Sequence, residues 1–508
     1  MKLHRTIPLL LALATSATTA TTTLAGWVNV PAFTEARAQH TATLLPSGQI
    51  FMAGGDTGET DGGGNAIALA STRLFNPSTN QWIDGPPLQS PRFGHTATLL
   101  ANGSVLLAGG RAAGPVRNTN ANSLVYTPQT NGITATISNL QVPRSHHTAT
   151  RLPSGEVLVT GGQGLAGQSA FQATEIYDPQ TRTWRASTDM PGRRAHHTAT
   201  LVSGGRVLVV GGRDDNQNPT NSAWLREADG AWTDVPTPPG FGYRAMHTAT
   251  LLPDERVLIV GGSAYLRDFI FDPATNSWID PGESLTTEHS MHTATLLYTA
   301  SPTVLVAGGY FAGTTRNQAS TKAPIATPPA TTDQPGMTEQ RRYHTATLLP
   351  SGQVLILGGY DNASVTNTGE LYTHAPPNPP GNVNTQAGSG QVTVSWQHPA
   401  TGTTPGSYTV TATPGGQSCT VPYPQISCTV TGLTNGTAYT FTVRAIALGN
   451  VPSVPTQATP PVTPTAAGPG PNPNPGGAQP VPTLGEWGLM LMAGVLSLAG
   501  LNARRKNS

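Results

Sequence analysis

The sequence predicts an all-β protein in two unlike parts, a ring of repeated sheets followed by a β-sandwich. Three observations carry that expectation. A His-Thr-Ala-Thr string leading to a Gly-Gly pair occurs seven times. Gly (57) and Pro (46) are abundant while charged residues are only 10%, which suits many short strands joined by turns rather than long helices. Beyond the last copy the pattern changes to strict apolar/polar alternation between Gly/Pro turns, as sandwich strands require.

The repeat runs HTATLLPSGQIFMAGG (40–55), HTATLLANGSVLLAGG (95–110), HTATRLPSGEVLVTGG (147–162) and HTATLVSGGRVLVVGG (197–212). It continues as HTATLLPDERVLIVGG (247–262), HTATLLYTASPTVLVAGG (292–309) and HTATLLPSGQVLILGG (344–359). Its histidines are 55, 52, 50, 50, 45 and 52 residues apart. HTATLL reads as a strand, Pro-Ser-Gly as a tight turn with Gly at positive φ, and QVLILGG as a second strand covered on both faces. Paired glycines at its end permit close backbone approach. A variable loop leads to a third strand closed by FNPSTNQW (75–82), YDPQTRTW (177–184) or FDPATNSW (271–278), where Asn/Asp-Pro suits a type I turn and Trp anchors a fourth strand.

A period near 50 and these strings resemble the kelch family, in which four antiparallel strands make one blade of a β-propeller. The resemblance covers residues 26–375 and implies seven blades. The second unit has Ile in place of the Trp, and the sixth has a Thr/Ala/Pro-rich stretch (311–338) without the turn or Trp, so a six-bladed ring with an inserted pseudo-blade stands as the alternative. The last unit stops at GELYTH (369–374), while GWVNV (26–30) precedes the first with no unit of its own. The Trp27 strand is therefore expected to complete the final blade.

Residues 376–465 contain QVTVSW (391–396), SYTVTAT (407–413) and GLTNGTAYTFTVRA (432–445). They resemble a fibronectin type III domain, with Tyr439 at the tyrosine-corner position and Trp396 as core aromatic. Cys419 and Cys428, the only cysteines, are expected to form a disulfide between neighbouring strands there.

Export signals stand at both ends. Lys2 and Arg5, an apolar Ile7–Ala14 run and Thr23-Leu24-Ala25 read as a signal peptide over 1–25; a membrane anchor would need a longer apolar run. A Pro/Gly-rich linker (466–480) precedes a tail (481–508) that holds Pro482, Thr483, Leu484, Gly485, Glu486 and Trp487, an apolar stretch (488–503) and Arg504-Arg505-Lys506. That order resembles the IPTL-CTERM sorting tail, with Val481 in place of the usual Ile. The resemblance implies an exosortase-type processing enzyme, alongside signal peptidase, and release or attachment at the cell surface. It also implies that the protein meets the inner membrane only transiently, through the tail before processing. An ordinary C-terminal anchor with a positive-inside flank is the other reading.

Net charge is +1, which gives nucleic acid little electrostatic purchase. The seven repeat histidines (His40, His95, His147, His197, His247, His292, His344) occupy one place per unit. Symmetry spreads them around a ring instead of converging them on an ion, so each is expected to hydrogen-bond within its own blade and no metal is expected. Arg37, Arg92, Arg144, Arg194, Arg244 and Arg341, with His289 in the sixth unit, stand three residues earlier. They read either as an anion- or carboxylate-binding ring near the central channel or as framework residues copied by duplication, each bonding the next blade's carbonyls.

The loops DTGETDGGGN (56–65) and RDDNQNP (213–219) are oxygen-rich; turn chemistry explains them without calcium. Some kelch propellers are copper-radical oxidases similar to galactose oxidase, and Tyr343-His344 is similar to a ligand pair of that family. Its cofactor needs a Cys–Tyr crosslink inside the propeller, and residues 1–418 contain no cysteine. No cofactor is therefore expected. No nucleophile–base pair, carboxylate dyad or phosphate loop stands out. The function expected is non-catalytic binding of an unidentified protein or glycan through propeller loops, with an extracellular carbohydrate-active enzyme as the alternative.

Overall fold

Seven inner strands begin at the Thr after each repeat histidine and alternate Thr and Ala, while the last four residues of every second strand (Ile50–Ala53 in the first unit) are buried. The computed structural model describes residues 26–466 apart from 62–63, 65, 113–118, 165–168, 263–266, 283–289, 298–302, 312, 324–329, 375–376, 400–404 and 448–451. The signal segment, linker and sorting tail lie outside the described residues. Among those described, each repeat builds one four-stranded antiparallel sheet, called here blades 1 to 7 in chain order.

Blade 7 is closed by the other end of the chain. Gly26–Val30 pairs antiparallel with Gly369–Thr373, placing Trp27 opposite Tyr372 with ring centroids 5.0 Å apart. Trp27 Nε1 donates to the Pro335 carbonyl at 2.6 Å, a residue that precedes blade 7 in sequence. The sixth unit, lacking the turn motif and the Trp, still forms a full sheet from Thr293–Leu297, Thr303–Ala307, Ala319–Ala323 and Ala330–Gln334.

The hydrophobic core lies between blades. One cluster sits at each junction; Leu45, Phe51 and Leu74 of blade 1, for example, meet Val105, Leu107 and Tyr126 of blade 2. Equivalent clusters fill the remaining junctions, including that between blades 7 and 1. A flat sheet buries little alone, so each blade depends on both neighbours.

Residues Gly381–Ala447 form a separate sandwich of two three-stranded sheets around Trp396, Tyr408 and Phe441. The Tyr439 hydroxyl accepts the Thr434 amide at 3.1 Å, the hydrogen bond that defines a tyrosine corner. Cys419 and Cys428 are bonded. Their strands, Ser418–Pro422 and Ser427–Thr431, are consecutive in the chain but belong to different sheets, so the disulfide joins the two layers.

Candidate functional site

The paired glycines explain how the ring is locked. A Cβ on Gly54 would lie 2.4 Å from the Arg92 carbonyl of the next blade, and one on Gly55 would lie 2.9 Å from Arg37 Cβ of its own blade. Both have positive φ, so a side chain fails on sterics and on backbone energy. The Gly55 amide then donates to that same Arg92 carbonyl at 2.9 Å, and five other junctions repeat the bond.

Arg37, Arg92, Arg144, Arg194, Arg244 and Arg341 are all buried. Their guanidinium groups point into the protein, and the carbonyls they reach belong to their own blade and not, as expected, to the next. Arg37, Arg92, Arg144 and Arg341 each donate from Nη1 to the carbonyl of the first glycine of their own blade's pair, at 2.9, 3.0, 2.7 and 2.9 Å. Arg144 and Arg341 also meet buried carboxylates, Glu175 at 2.6 Å and Glu370 at 3.0 Å. Arg194 lies over the Trp224 ring at 4.1 Å, and Arg244 lies over the Phe241 ring at 4.2 Å. His289 lies outside the described residues.

The repeat histidines form a second belt. They bond across blades and not, as expected, within their own: each shares a hydrogen bond through Nε2 with the first Thr of the preceding blade's inner strand, from His95 with Thr41 at 3.0 Å round to His40 with Thr345 at 3.1 Å. Burial, reinforced by the nearby arginines, lowers His95, His197 and His344 to about 3, so these imidazoles are neutral at ordinary pH.

One residue earlier the chain turns left-handed in every blade. Gln39, Gly94, His146, His196, Met246, Met291 and Tyr343 all have φ between 52° and 60°. The amide of each donates to the carbonyl of its counterpart on the preceding blade, Gly94 to Gln39 at 3.1 Å and Gln39 to Tyr343 at 3.1 Å, closing a seven-membered backbone ring. The side chains of this ring cross the channel mouth. His146 passes over Gly94, where a Cβ would stand 2.9 Å from its Nε2, and donates to Gln39 Oε1 at 2.9 Å. Its ring centroid lies 4.2 Å from that of His196, the planes tilted by 34°. From the other side the Tyr343 hydroxyl reaches Met246 Sδ at 3.3 Å.

Residues after the glycine pairs surround this plug. Asp56, Arg111, Gln163, Arg213, Tyr310 and Tyr360 each bridge to the segment two residues before a repeat histidine. Arg342 stands beside them, its guanidinium 4.7 Å from the Tyr310 ring and 5.5 Å from the Tyr360 ring. Tyr360 donates its hydroxyl to Asp56. Arg213 donates to the Gln217 carbonyl at 2.6 Å and leaves Nε without a partner. Three partly exposed arginines thus face the mouth.

Their chemistry is one-sided. Burial and then the Arg111 charge lower His146 to about 4, and burial with the neighbouring His146 and Arg213 charges pushes His196 well below its ordinary range. Burial raises Tyr343, and burial with the Asp56 hydrogen bond raises Tyr360. The imidazoles are weak bases and the phenols weak acids near neutral pH, a poor match to proton transfer there. The oxygen-rich loop 213–219 closes on itself: Asp214 Oδ1 accepts the amides of Asn216 and Asn218, both at 2.9 Å.

Comparison with known families decides the second module. Residues 378–459 match the model of the Fibronectin type III domain. The sandwich is a fibronectin type III domain. Residues 479–506 match the IPTL-CTERM motif, so the chain carries a sorting tail of exported, surface-displayed proteins that is processed by an exosortase-type enzyme. No curated protein matches the chain in sequence.

Among solved structures, a fungal alcohol oxidase of the AA5 family in complex with copper is 15% identical with a TM-score of 0.57. The match covers 87% of this chain and all of that one. The structure of YjhT is 11% identical with a TM-score of 0.44, covering 60% of this chain and 99% of that one. The first likeness establishes the galactose-oxidase-like propeller fold ahead of the fibronectin type III domain. The residues here do not fit a copper-radical centre: both cysteines are joined to each other in the fibronectin type III domain. Tyr343 is committed to Met246 and His344 to Thr293.

Sequence reasoning selected the regular positions of the repeat, and those residues hold the blades together. It passed over Arg111, Arg342, His146 and His196, and met Arg213 only as the first residue of an oxygen-rich loop. Their signal lies in irregularity: the residues just before the repeat histidine and just after the glycine pair change from blade to blade inside an otherwise uniform string.

Proposed function

We propose that the propeller is a non-catalytic binding module displayed at the cell surface, recognising acidic groups of a protein or glycan at its channel mouth. The observation that carries this is the pairing of three accessible arginines with titratable neighbours tuned away from neutral pH. Guanidinium groups suit carboxylates and sulfates, and the unequal loops beside them supply shape. The six arginines that stand three residues before a repeat histidine serve the blades in this reading.

The signal peptide starts export, and the apolar stretch 488–503 holds the protein in the inner membrane until the sorting motif is processed. A binding screen of glycans and proteins on residues 26–466, with turnover of every hit measured, tests the module. Binding that falls in the Arg213→Gln, Arg342→Gln double variant supports it, and turnover of a hit would sink the non-catalytic reading. C-terminal mass spectrometry of surface material should find no peptide beyond Trp487; intact tail peptides there count against processing.

A further inference from the structure

One core position breaks the chemistry of its equivalents. Opposite the first buried residue of each second strand, the third strand places Phe75, Tyr126, Tyr177, Phe271 and Tyr372 in blades 1, 2, 3, 5 and 7. Blade 6 has Lys322 there and blade 4 has Arg226. The two cations are treated differently. Lys322 forms a buried ion pair with Asp268 of blade 5. Arg226 is 5% exposed, yet among the described residues no carboxylate lies within ion-pair distance of it. Its Nε has no partner, and Nη1 and Nη2 make only long contacts of 3.4 Å to the Glu227 carbonyl and Ser187 Oγ. Asp229 and Glu156 act on it only beyond ion-pair distance, and a buried cation without a direct counter-charge is costly.

Arg226 lines a cleft of about 760 Å³ between blades 3 and 4, within the roughly 300–1,000 Å³ usual for small-ligand sites. The cleft adjoins the turns at the strand ends away from the channel mouth. Gly204, Gly205 and Gly230 leave backbone accessible, Ser154, Ser187 and Thr188 bring hydroxyls, and Glu156 and Arg185 stand at the edge. Glu156 is taken by Arg185 at 2.7 Å, and Asp229 accepts the Ala231 amide at 2.9 Å. Arg226 therefore faces a cleft in which neither Asp229 nor the Arg185–Glu156 pair at the edge bonds it directly.

We infer that this cleft is a second binding site, for a carboxylate-bearing sugar, whose acid group is held by Arg226 and Arg185. A uronate supplies one carboxylate for the cations and several hydroxyls for Glu156, Asp229 and the serines. An acidic peptide would bring further negative charge against those same carboxylates. The site is independent of the channel mouth.

The test is calorimetric titration of residues 26–466 with galacturonic acid oligomers, with galactose oligomers and poly-glutamate as controls. The uronate oligomers should bind, and both controls should bind at least about ten-fold more weakly, as loss of a charge-assisted contact implies. Arg226→Tyr installs the residue found in blades 2, 3 and 7, so it should melt no lower than the parent while losing about ten-fold or more in uronate affinity. Arg185→Gln, at an exposed position, should weaken binding without touching the core. The Arg213→Gln, Arg342→Gln variant should leave it intact, which separates this site from the mouth. No uronate binding, equal binding of either control, undiminished affinity in Arg226→Tyr and Arg185→Gln, or loss only in the mouth variant would each overturn the inference.

Discussion

Acid should unfold the propeller well above the pH at which most carboxylates protonate. His95, His197 and His344 are held neutral, their values lowered from 6.5 to about 3 by burial and by the adjacent arginine charges. Once the chain unfolds, these imidazoles recover their ordinary affinity for protons. Between pH 6.5 and 3 the unfolded state therefore binds more protons than the folded one, and stability falls as pH falls. Above 6.5 neither state is protonated and the stabilisation is complete.

Each group changes stability by about 1.4 kcal/mol per pH unit within that window. At pH 5 the loss is about 2 kcal/mol per histidine, or about 6 kcal/mol for the three. That is comparable with the whole stability of many domains, about 5–15 kcal/mol. Differential scanning calorimetry from pH 7.5 to 4.5 should show the propeller transition dropping steeply below pH 6.5. The fibronectin type III domain, whose only histidine is His398, provides a second transition for reference. A propeller melting temperature equal at pH 7.5 and 5.0 would refute the neutral-histidine belt.

Trp27→Ala removes the ring packed at a tilt against Tyr372 and the bond to Pro335; for a half-buried Trp a loss of about 2–3 kcal/mol is expected in chemical denaturation. Replacing Cys419 and Cys428 by Ser should cost about 2.5 kcal/mol by loop-closure entropy, confined to the fibronectin type III transition and mimicked by reductant. Gly94→Ala drives a methyl into His146. It should cost about 1–3 kcal/mol and alter the His146 ring resonances, whereas an unchanged imidazole spectrum would mean that the ring does not cross the mouth.

The strand order was legible because each unit repeats its own punctuation: the Pro-Ser-Gly turn, the glycine pair and the Asn/Asp-Pro turn each mark a chain reversal. The sixth unit was harder, since Ala319–Ala323 and Ala330–Gln334 pair through backbone hydrogen bonds with no marker residue. The arginines at the third position before the histidine were visible, but their direction was not. A guanidinium reaching a channel and one reaching the Gly54 carbonyl look alike in a string of letters. The two-layer disulfide was hidden for a related reason, as consecutive strands pair or separate according to where the chain crosses the sandwich. Arg226 escaped notice because its equivalence to Tyr177 and Lys322 appears only once strand register is known.

The backbone ring at the mouth has a consequence for how such a protein diversifies. Its seven amides and carbonyls are satisfied by one another, and the left-handed turn is held by the blades on either side. The side chains at these stations are Gln, Gly, His, His, Met, Met and Tyr, so residues of unlike size and polarity occupy one backbone geometry. The molecule therefore resembles a type-case with seven slots: letters can be exchanged within it while the frame that holds them stays set.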